Sequence, residues 1–468
     1  MYKFNLLIAL ALLCFLESCD KMPQATKPNI IFIMADDLGY GDLESYGQKE
    51  IKTPNLNKLA RQGIQFSDCY AGSPVCAPSR SVLMTGRHTG HTTVRGNFGQ
   101  GGVVGLGGGE GRVPLNAGDV TIAEVLKQAG YATAITGKWG LGEPNTSGLP
   151  NDQGFDEWFG FLNQRRAHHH YTDYIWKNKV KYKIAAEDKF KEENYTHNLF
   201  TQFSLDFIRS RANQDHPFFL YIPYLLPHDE YEIPAIHKAY QNRGWTEQEQ
   251  VHASMVTLID SDVGKIISLL EELEIRDNTL VFFTSDNGAA QRWDGRFDSS
   301  GSLRGRKRDV YEGGIRVPMI VSMPGTVPEG VTNSTPWYFP DVFPTLADFA
   351  ETGTPGGLDG ISLKKVITQN ETGDPERLLY WEFHEEGGKQ AIRKGKWKLI
   401  RLNVGEKGFH QDIELYNLEL DPGESDDVAD QNPVLVKEMV ELMDAQRVKS
   451  ENFLFSFENQ PDPGHEFP

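Results

Sequence analysis

Asn29-Ile30-Ile31-Phe32-Ile33-Met34-Ala35-Asp36-Asp37 runs six apolar residues without a break into a pair of adjacent carboxylates. No polar residue alternates with the apolar ones, so both faces of this strand are to be covered, as in a parallel sheet packed between helix layers. Similar apolar runs predict strands at 132–136, 218–222 and 279–284, and helices are predicted over 54–62, 121–129, 195–211 and 246–273. The alternation predicts an α/β fold with a mostly parallel central sheet sandwiched by helices.

In such sheets the reactive groups gather beyond the carboxyl ends of the strands. Four polar clusters sit at those ends: Asp36-Asp37 after NIIFIMA, Lys138 after ATAITG, His228 after FFLYIPYLLP, and Asp286-Asn287 after TLVFFTS. A pair of aspartates alone is commonly a solvated turn or a helix cap. Joined by Asp286 and Asn287 it is a set of oxygen ligands with no soft donor, which selects Ca²⁺ or Mg²⁺ over zinc. Carboxylates crowded at one strand end also repel unless a cation lies between them. Between the first two strands, Ser73-Pro74-Val75-Cys76-Ala77-Pro78-Ser79-Arg80 puts a sulfur nucleophile at a predicted helix start, with an arginine four residues on. The free N–H groups and the guanidinium there favour an anion.

The 468 residues carry a formal charge of −18 and are 39% hydrophobic and 24% charged. That composition fits an enzyme with one large domain and an appendage. The charge argues against nucleic acid as a partner. An anionic substrate stays open to it, because a few local cations set the field of a pocket. Lys3 and the apolar run 6–16, too short for a membrane span, read as an export signal. It ends in Leu16-Glu17-Ser18-Cys19, similar to a bacterial lipobox, with Cys19 the expected lipidated residue. The expected location is the periplasm or the outer membrane, with the membrane contacted through the lipid anchor only. Cys69 is expected as a buried small hydrophobe.

Residues 1–18 are read as the lipoprotein signal peptide, 19–27 as a linker, 28–355 as the catalytic domain and 356–468 as a smaller C-terminal α+β subdomain. The composition breaks at Gly353-Thr354-Pro355-Gly356-Gly357, and antiparallel strands are predicted over 378–383, 390–393 and 397–401 with a closing helix over 433–448. The stretch 99–111, with eight glycines, is expected as a mobile loop over the pocket. It lacks the Lys-Ser/Thr ending of a phosphate loop.

The segments NIIFIMADDLGYGD, SPVCAPSRSVLMTGRHTG, GYATAITGKWGLG, LLPHDE, FFTSDNG and LRGRKRDVYEGGIRVP occur in this order over most of the chain. They resemble the type I sulfatases, formylglycine-dependent enzymes of arylsulfatase and carbohydrate sulfatase type in the alkaline phosphatase-like superfamily. The resemblance implies hydrolysis of sulfate esters, here exo-acting desulfation of glycans of the galactose or N-acetylgalactosamine type. It implies that a formylglycine-generating enzyme oxidises Cys76, that the aldehyde hydrate attacks sulfur, and that the hemiacetal sulfate then eliminates. It implies a Ca²⁺ ion, or Mg²⁺, on Asp36, Asp37, Asp286, Asn287 and residue 76. Arg80, Lys138 and Lys307 would hold the nucleophile and sulfate oxygens, with His228 beside the leaving oxygen.

The wall for the sugar would come from Arg95, Asn97, His168, His169, His170 and Asp229. Trp381, Glu382 and His384 would reach over the pocket, with Trp397 in the core. The chain departs from the family's common GKWHLG in carrying Gly140, which leaves the elimination step to His88, His91 or a carboxylate. Two other classes stay open at this point. One is a phosphomonoester or phosphodiester hydrolase of the same superfamily, against which the missing zinc-type His ligands speak. The other is a non-catalytic surface protein that binds sulfated glycans with Cys76 as a thiol.

Overall fold

The computed structural model describes residues 27–455 apart from 107, 109 and 405–411. The expected signal peptide, Cys19 and nearly all of the linker lie outside the described residues. Among the described residues no helix is long and apolar enough to cross a membrane.

Ten strands form one mixed sheet in the order Val331–Asn333, Ile64–Phe66, Met319–Ser322, Thr279–Ser285, Asn29–Ala35, Phe218–Pro223, Ala132–Lys138, Glu157–Phe161, Tyr174–Lys177 and Val180–Lys183. The five from Thr279–Ser285 to Glu157–Phe161 run parallel, and antiparallel pairings border them on both sides. The marginal strands escaped the sequence reading because runs of three to five residues carry little periodicity.

Asn29–Ala35 lies mid-sheet, with Ile30 opposite Phe219 on one side and Leu280 on the other. Its side chains alternate between two cores. Ile30, Phe32 and Met34 pack with Val82, Leu126 and Leu346, whereas Ile31, Ile33 and Ala35 pack with Leu59, Phe200 and Ile259. Each large aliphatic or aromatic side chain buried this way stabilises by roughly 1.5–3 kcal/mol. The helices begin where caps allow. Thr121 and Glu124 cap Ile122–Gln128, and Thr246 and Glu249 cap the long helix Glu247–Glu272 by the same reciprocal bonds.

Val342–Phe349 and Lys364–Gln369 still pack on the first core through Leu346, Val366 and Ile367, so the chain past 355 does not leave it at once. Four antiparallel strands follow: Leu378–Phe383, Lys389–Lys394, Trp397–Leu402 and Asp412–Asn417, the last of them absent from the sequence reading. One face of this sheet packs on helix Pro433–Ala445 through Tyr380, Leu399 and Met443. The other face meets Tyr70, Val75 and Ile315 through Leu379 and Trp381. It therefore rests on the residue just before Cys76.

Candidate active site

Successive strand residues point to opposite faces, so adjacent aspartates reach one site only if the backbone turns between them. Asp37 makes that turn with a φ of 65°, a left-handed conformation that strains a non-glycine residue. Its N–H donates to Asp286 Oδ1 at 3.2 Å, and Asn287 Nδ2 donates to Asp37 Oδ1 at 2.7 Å. Two neighbouring strand ends are tied by these bonds.

The helix Cys76–Thr85 is buried over its whole length, and its N-cap residue Val75 makes no side-chain capping bond. Asn97 Oδ1 accepts from the Ala77 N–H at 3.3 Å and lies 3.7 Å from Cys76 Sγ. Residue 76 thus sits at the positive end of the helix dipole. Its sulfur shares one small volume with carboxylate oxygens of Asp36 and Asp286, all within 4.8 Å of one another.

One turn on, Arg80 donates Nε and Nη2 to Asp286 Oδ2 and Nη1 to the Lys138 carbonyl, and its Nη2 stands 3.3 Å from Asp36 Oδ2. Lys138, the last residue of its strand, donates Nζ to Asp36 Oδ2 at 2.6 Å. Lys307 Nζ donates to Asp37 Oδ2 at 2.7 Å and lies 3.1 Å from His228 Nε2. His228 Nδ1 faces the Asp229 carbonyl and, at 2.7 Å, Asp229 Oδ1. Both of those are acceptors, so Nδ1 carries a proton, and Nε2 faces Lys307 and Asp37.

The Lys307 loop is clamped from two sides: Ala289 O accepts from the Lys307 N–H and Pro74 O from the Arg308 N–H. Glycine is required for that approach, since a Cβ on Gly288 would stand 2.0 Å from Gly313 O.

Burial opposes the charge on Asp36, yet Lys138, His228, Arg80 and Lys307 together hold its carboxyl well below the usual range. Burial and the charge of Asp36 push Asp286 up to about 6. Burial works against Lys138 and Lys307 as well, but the facing carboxylates keep both firmly protonated. Arg80, Lys138 and Lys307 balance Asp36, Asp37 and Asp286 one for one, so charge alone does not call for a cation. The case for one is that Asp36 Oδ1 and Asn287 Oδ1 are buried with no hydrogen-bond partner. With Asp37 and Asp286 they make an all-oxygen set, which fits a hard divalent ion.

Of the residues expected on the sugar wall, Asn97, His168 and Asp229 adjoin this cluster. The His168 ring packs edge-on to His228 with centroids 4.4 Å apart, and burial with the His228 charge lowers its pKa to about 4. His169 is exposed on an outer cleft. Arg95 and His170 lie inside the protein instead. Arg95 donates to Glu382 Oε1 and the Val448 carbonyl, and His170 Nε2 sits 3.3 Å from the His228 carbonyl. Trp381 and Glu382 are wholly buried, the indole bonded to the Ala71 carbonyl, so they do not reach over the pocket. His384 bonds Glu382 and stacks on Phe455, and Trp397 is half-buried against the C-terminal helix. Cys69 is buried as expected, and burial pushes its thiol up.

His88 and His91 face Asp359 and Tyr380 and not the carboxylate cluster. Their rings stack 4.3 Å apart at 24°, so their in-plane lone pairs cannot converge on one ion. The sequence reading missed Gln164, which donates to the Gly140 carbonyl at 2.9 Å; a Cβ on residue 140 would meet its amide at 2.7 Å. One polar residue on a four-residue helix leaves no pattern to read. The glycine-rich stretch is paired: Val103 and Arg112 exchange backbone bonds, Gly99 bonds Gly111, and Gln100 bonds Asn452.

Four strand ends and one helix start thus converge on a nucleophile ringed by fixed cations and hard oxygen ligands, which defines a hydrolase of anionic esters. The chain belongs to the sulfatase family: the family's sequence profile, described as Sulfatase, matches residues 28–352, and that of the N-sulphoglucosamine sulphohydrolase C-terminal region matches 305–449. It is a sulfuric ester hydrolase. It is 36% identical to N-acetylgalactosamine-6-sulfatase of Sus scrofa over 394 residues, 79% of this chain and 71% of that one. Arylsulfatase A of Homo sapiens is 31% identical over 438 residues, 86% and 83% of the two chains. The crystal structure of Ps i-CgsB in complex with k-i-k-neocarrahexaose superposes with a TM-score of 0.77 at 29% identity, covering 93% of this chain and 96% of that one.

Proposed function

We propose that this sulfatase removes sulfate from galactose- or N-acetylgalactosamine-type residues at glycan chain ends, with residue 76 oxidised to formylglycine by a formylglycine-generating enzyme. Asp36, Asp37, Asp286 and Asn287 would hold a Ca²⁺ ion. The observation that carries this reading is the placement of Cys76 Sγ beside Asp36 and Asp286 at a helix N-terminus. An aldehyde hydrate at position 76 supplies the nucleophilic oxygen, and the ion supplies positive charge that a sulfate ester's oxygens require.

The remaining work falls to side chains already in place. Arg80 and Lys138, fixed by Asp286 and Asp36, present positive charge to the sulfate without reorganising. Lys307 and His228, 3.1 Å apart, share the proton that an expelled sugar oxygen needs. Gln164 lines a small recess with Ala77 and Asn97, and His168 packs on His228. Support for the sugar class comes from the name of the Sus scrofa relative and the carrageenan-type ligand of the superposed structure. The test is sulfate release from a panel of defined sulfated monosaccharides and disaccharides by enzyme coexpressed with a formylglycine-generating enzyme. Turnover confined to glucosamine sulfates, or to phosphate esters, sinks the assignment.

Export and anchoring through Cys19 rest on the N-terminal sequence alone. Metabolic labelling with a fatty acid, compared between the native chain and Cys19→Ala, tests them.

A further inference from the structure

Beyond the reacting centre, further cations lie against the Asn97 segment and beside Gln164. Arg112 donates Nη1 to the Asn97 carbonyl at 2.8 Å and lies over the Phe98 ring, 4.4 Å from its centroid. Asn97 is the residue whose side chain touches Cys76, and Arg112 lines the same recess as Ala77, Gly140 and Gln164. Arg165, next to Gln164, donates Nη1 to the Gly108 carbonyl at 2.9 Å. Further out, Arg165, Arg166, His169 and Lys189 border an open cleft of about 290 Å³.

Of the cations on this cleft, Arg166 is paired with Asp173, which lines it too; elsewhere Arg308 pairs with Glu385 and Glu386, and Lys389 with Asp309. Among the described residues, Arg112, Arg165 and Lys189 have no carboxylate oxygen within 4.0 Å. Burial works against the charge on Arg112 and Arg165 adds repulsion, offset in part by residue 76, by Glu143 in the same recess and by Glu385. With 65 acidic residues against 47 basic ones, carboxylates are not scarce. Two guanidiniums without a carboxylate partner, one of them on the segment that touches residue 76, can take an anion that arrives from outside.

We propose that this row receives a second anionic substituent of the substrate, a sulfate or a carboxylate on the sugar next to the one whose ester lies at residue 76. The preferred substrate is then a multiply charged oligosaccharide, and a singly sulfated monosaccharide leaves the row empty. The inference rests on the sulfatase reading above. A guanidinium fork suits either anion, because both offer paired oxygens.

The test uses the full formylglycine-bearing enzyme and three probes. These are N-acetylgalactosamine 6-sulfate, a chondroitin 6-sulfate tetrasaccharide with a neighbouring carboxylate, and an iota-carrageenan tetrasaccharide with a neighbouring sulfate. At least one tetrasaccharide is expected to show a KM about tenfold below that of the monosaccharide at similar kcat, as charged hydrogen bonds of this kind provide. Arg165→Gln, at an exposed position where folding is safe, raises that KM by a larger factor than the monosaccharide's, and Arg112→Gln raises it further. Added salt narrows the gap. Equal KM for all probes, or equal losses in the variants, overturns the proposal. If the native enzyme releases sulfate from none of them, the sulfatase reading fails and calorimetry with Cys76→Ala judges the row by itself. Tetrasaccharide binding weakened by Arg165→Gln then supports it, and absence of binding overturns it.

Discussion

Arg80 gives Nε and Nη2 to a single oxygen of Asp286, at 3.1 and 2.7 Å, across 206 positions of chain. One residue comes from the helix behind the nucleophile, the other from a strand end, and both are fully buried. The pair therefore ties the helix that begins at residue 76 to the carboxylate cluster. The guanidinium is held before any substrate arrives, so it loses no freedom when sulfate binds.

Asp286→Ala removes a proposed metal ligand and leaves Arg80 only its longer ion pair with Asp36. Breaking one side of a buried ion pair costs about 3–5 kcal/mol. Urea unfolding is expected to show that loss, and metal analysis of the purified variant to show a depleted ion. Full metal content with unchanged stability contradicts the role given to Asp286.

Cys76→Ala abolishes sulfate release and leaves thermal unfolding within a few degrees of the parent, since the side chain is small and its partner is only Asn97. The native peptide spanning residue 76 is expected to react with a hydrazide and to be lighter than its cysteine form. A native enzyme with an unmodified thiol and full activity refutes the formylglycine assignment.

His228→Ala slows sugar sulfates by about 10²–10⁴, the usual contribution of a positioned acid. Nitrophenyl sulfate, whose leaving group needs no proton, is expected to lose far less. Parallel kcat/KM measurements decide it, and equal losses on both esters remove His228 from proton transfer.

Lys398 is wholly buried between Glu312 and Glu424, 2.8 Å from an oxygen of each. Glu312 opens the turn that follows the Lys307 loop, so this knot links the C-terminal sheet to that loop. Lys398→Met takes the cation from the buried Glu424 carboxylate, while Glu312 keeps Arg316 and the Tyr70 hydroxyl, and is expected to cost about 3–5 kcal/mol. Adding Glu424→Gln should restore part of it. A double variant no more stable than the single one argues against charge as the cause.

Burial lowers the pKa of His88 from 6.5 to about 4 despite the nearby Asp359. The unfolded chain takes up this proton first as pH falls, so the contribution is complete above about 6.5 and is lost between 6.5 and 4. Over that window the loss amounts to about 3 kcal/mol, given 1.36 kcal/mol per unit. His88→Gln should flatten this part of the stability profile, measured by urea titration at several pH values. An unchanged slope removes His88 as the source.

The sequence by itself determined the sheet and its reactive edge. Uninterrupted apolar runs such as 29–35 must be buried on both sides, and polar residues directly after such runs can only gather at the carboxyl edge. Asp36, Asp37, Lys138, His228, Asp286 and Asn287 were legible for that reason, and Cys76 and Arg80 through their octapeptide. Only the tertiary structure decided which cations serve the site and which serve the fold. Arg95 and Arg112 look alike in sequence, yet Arg95 is closed off by Glu382 while Arg112 is left without a carboxylate. A side chain's partners come from segments hundreds of residues away, and no local pattern encodes whether a charge finds its counterpart inside the protein.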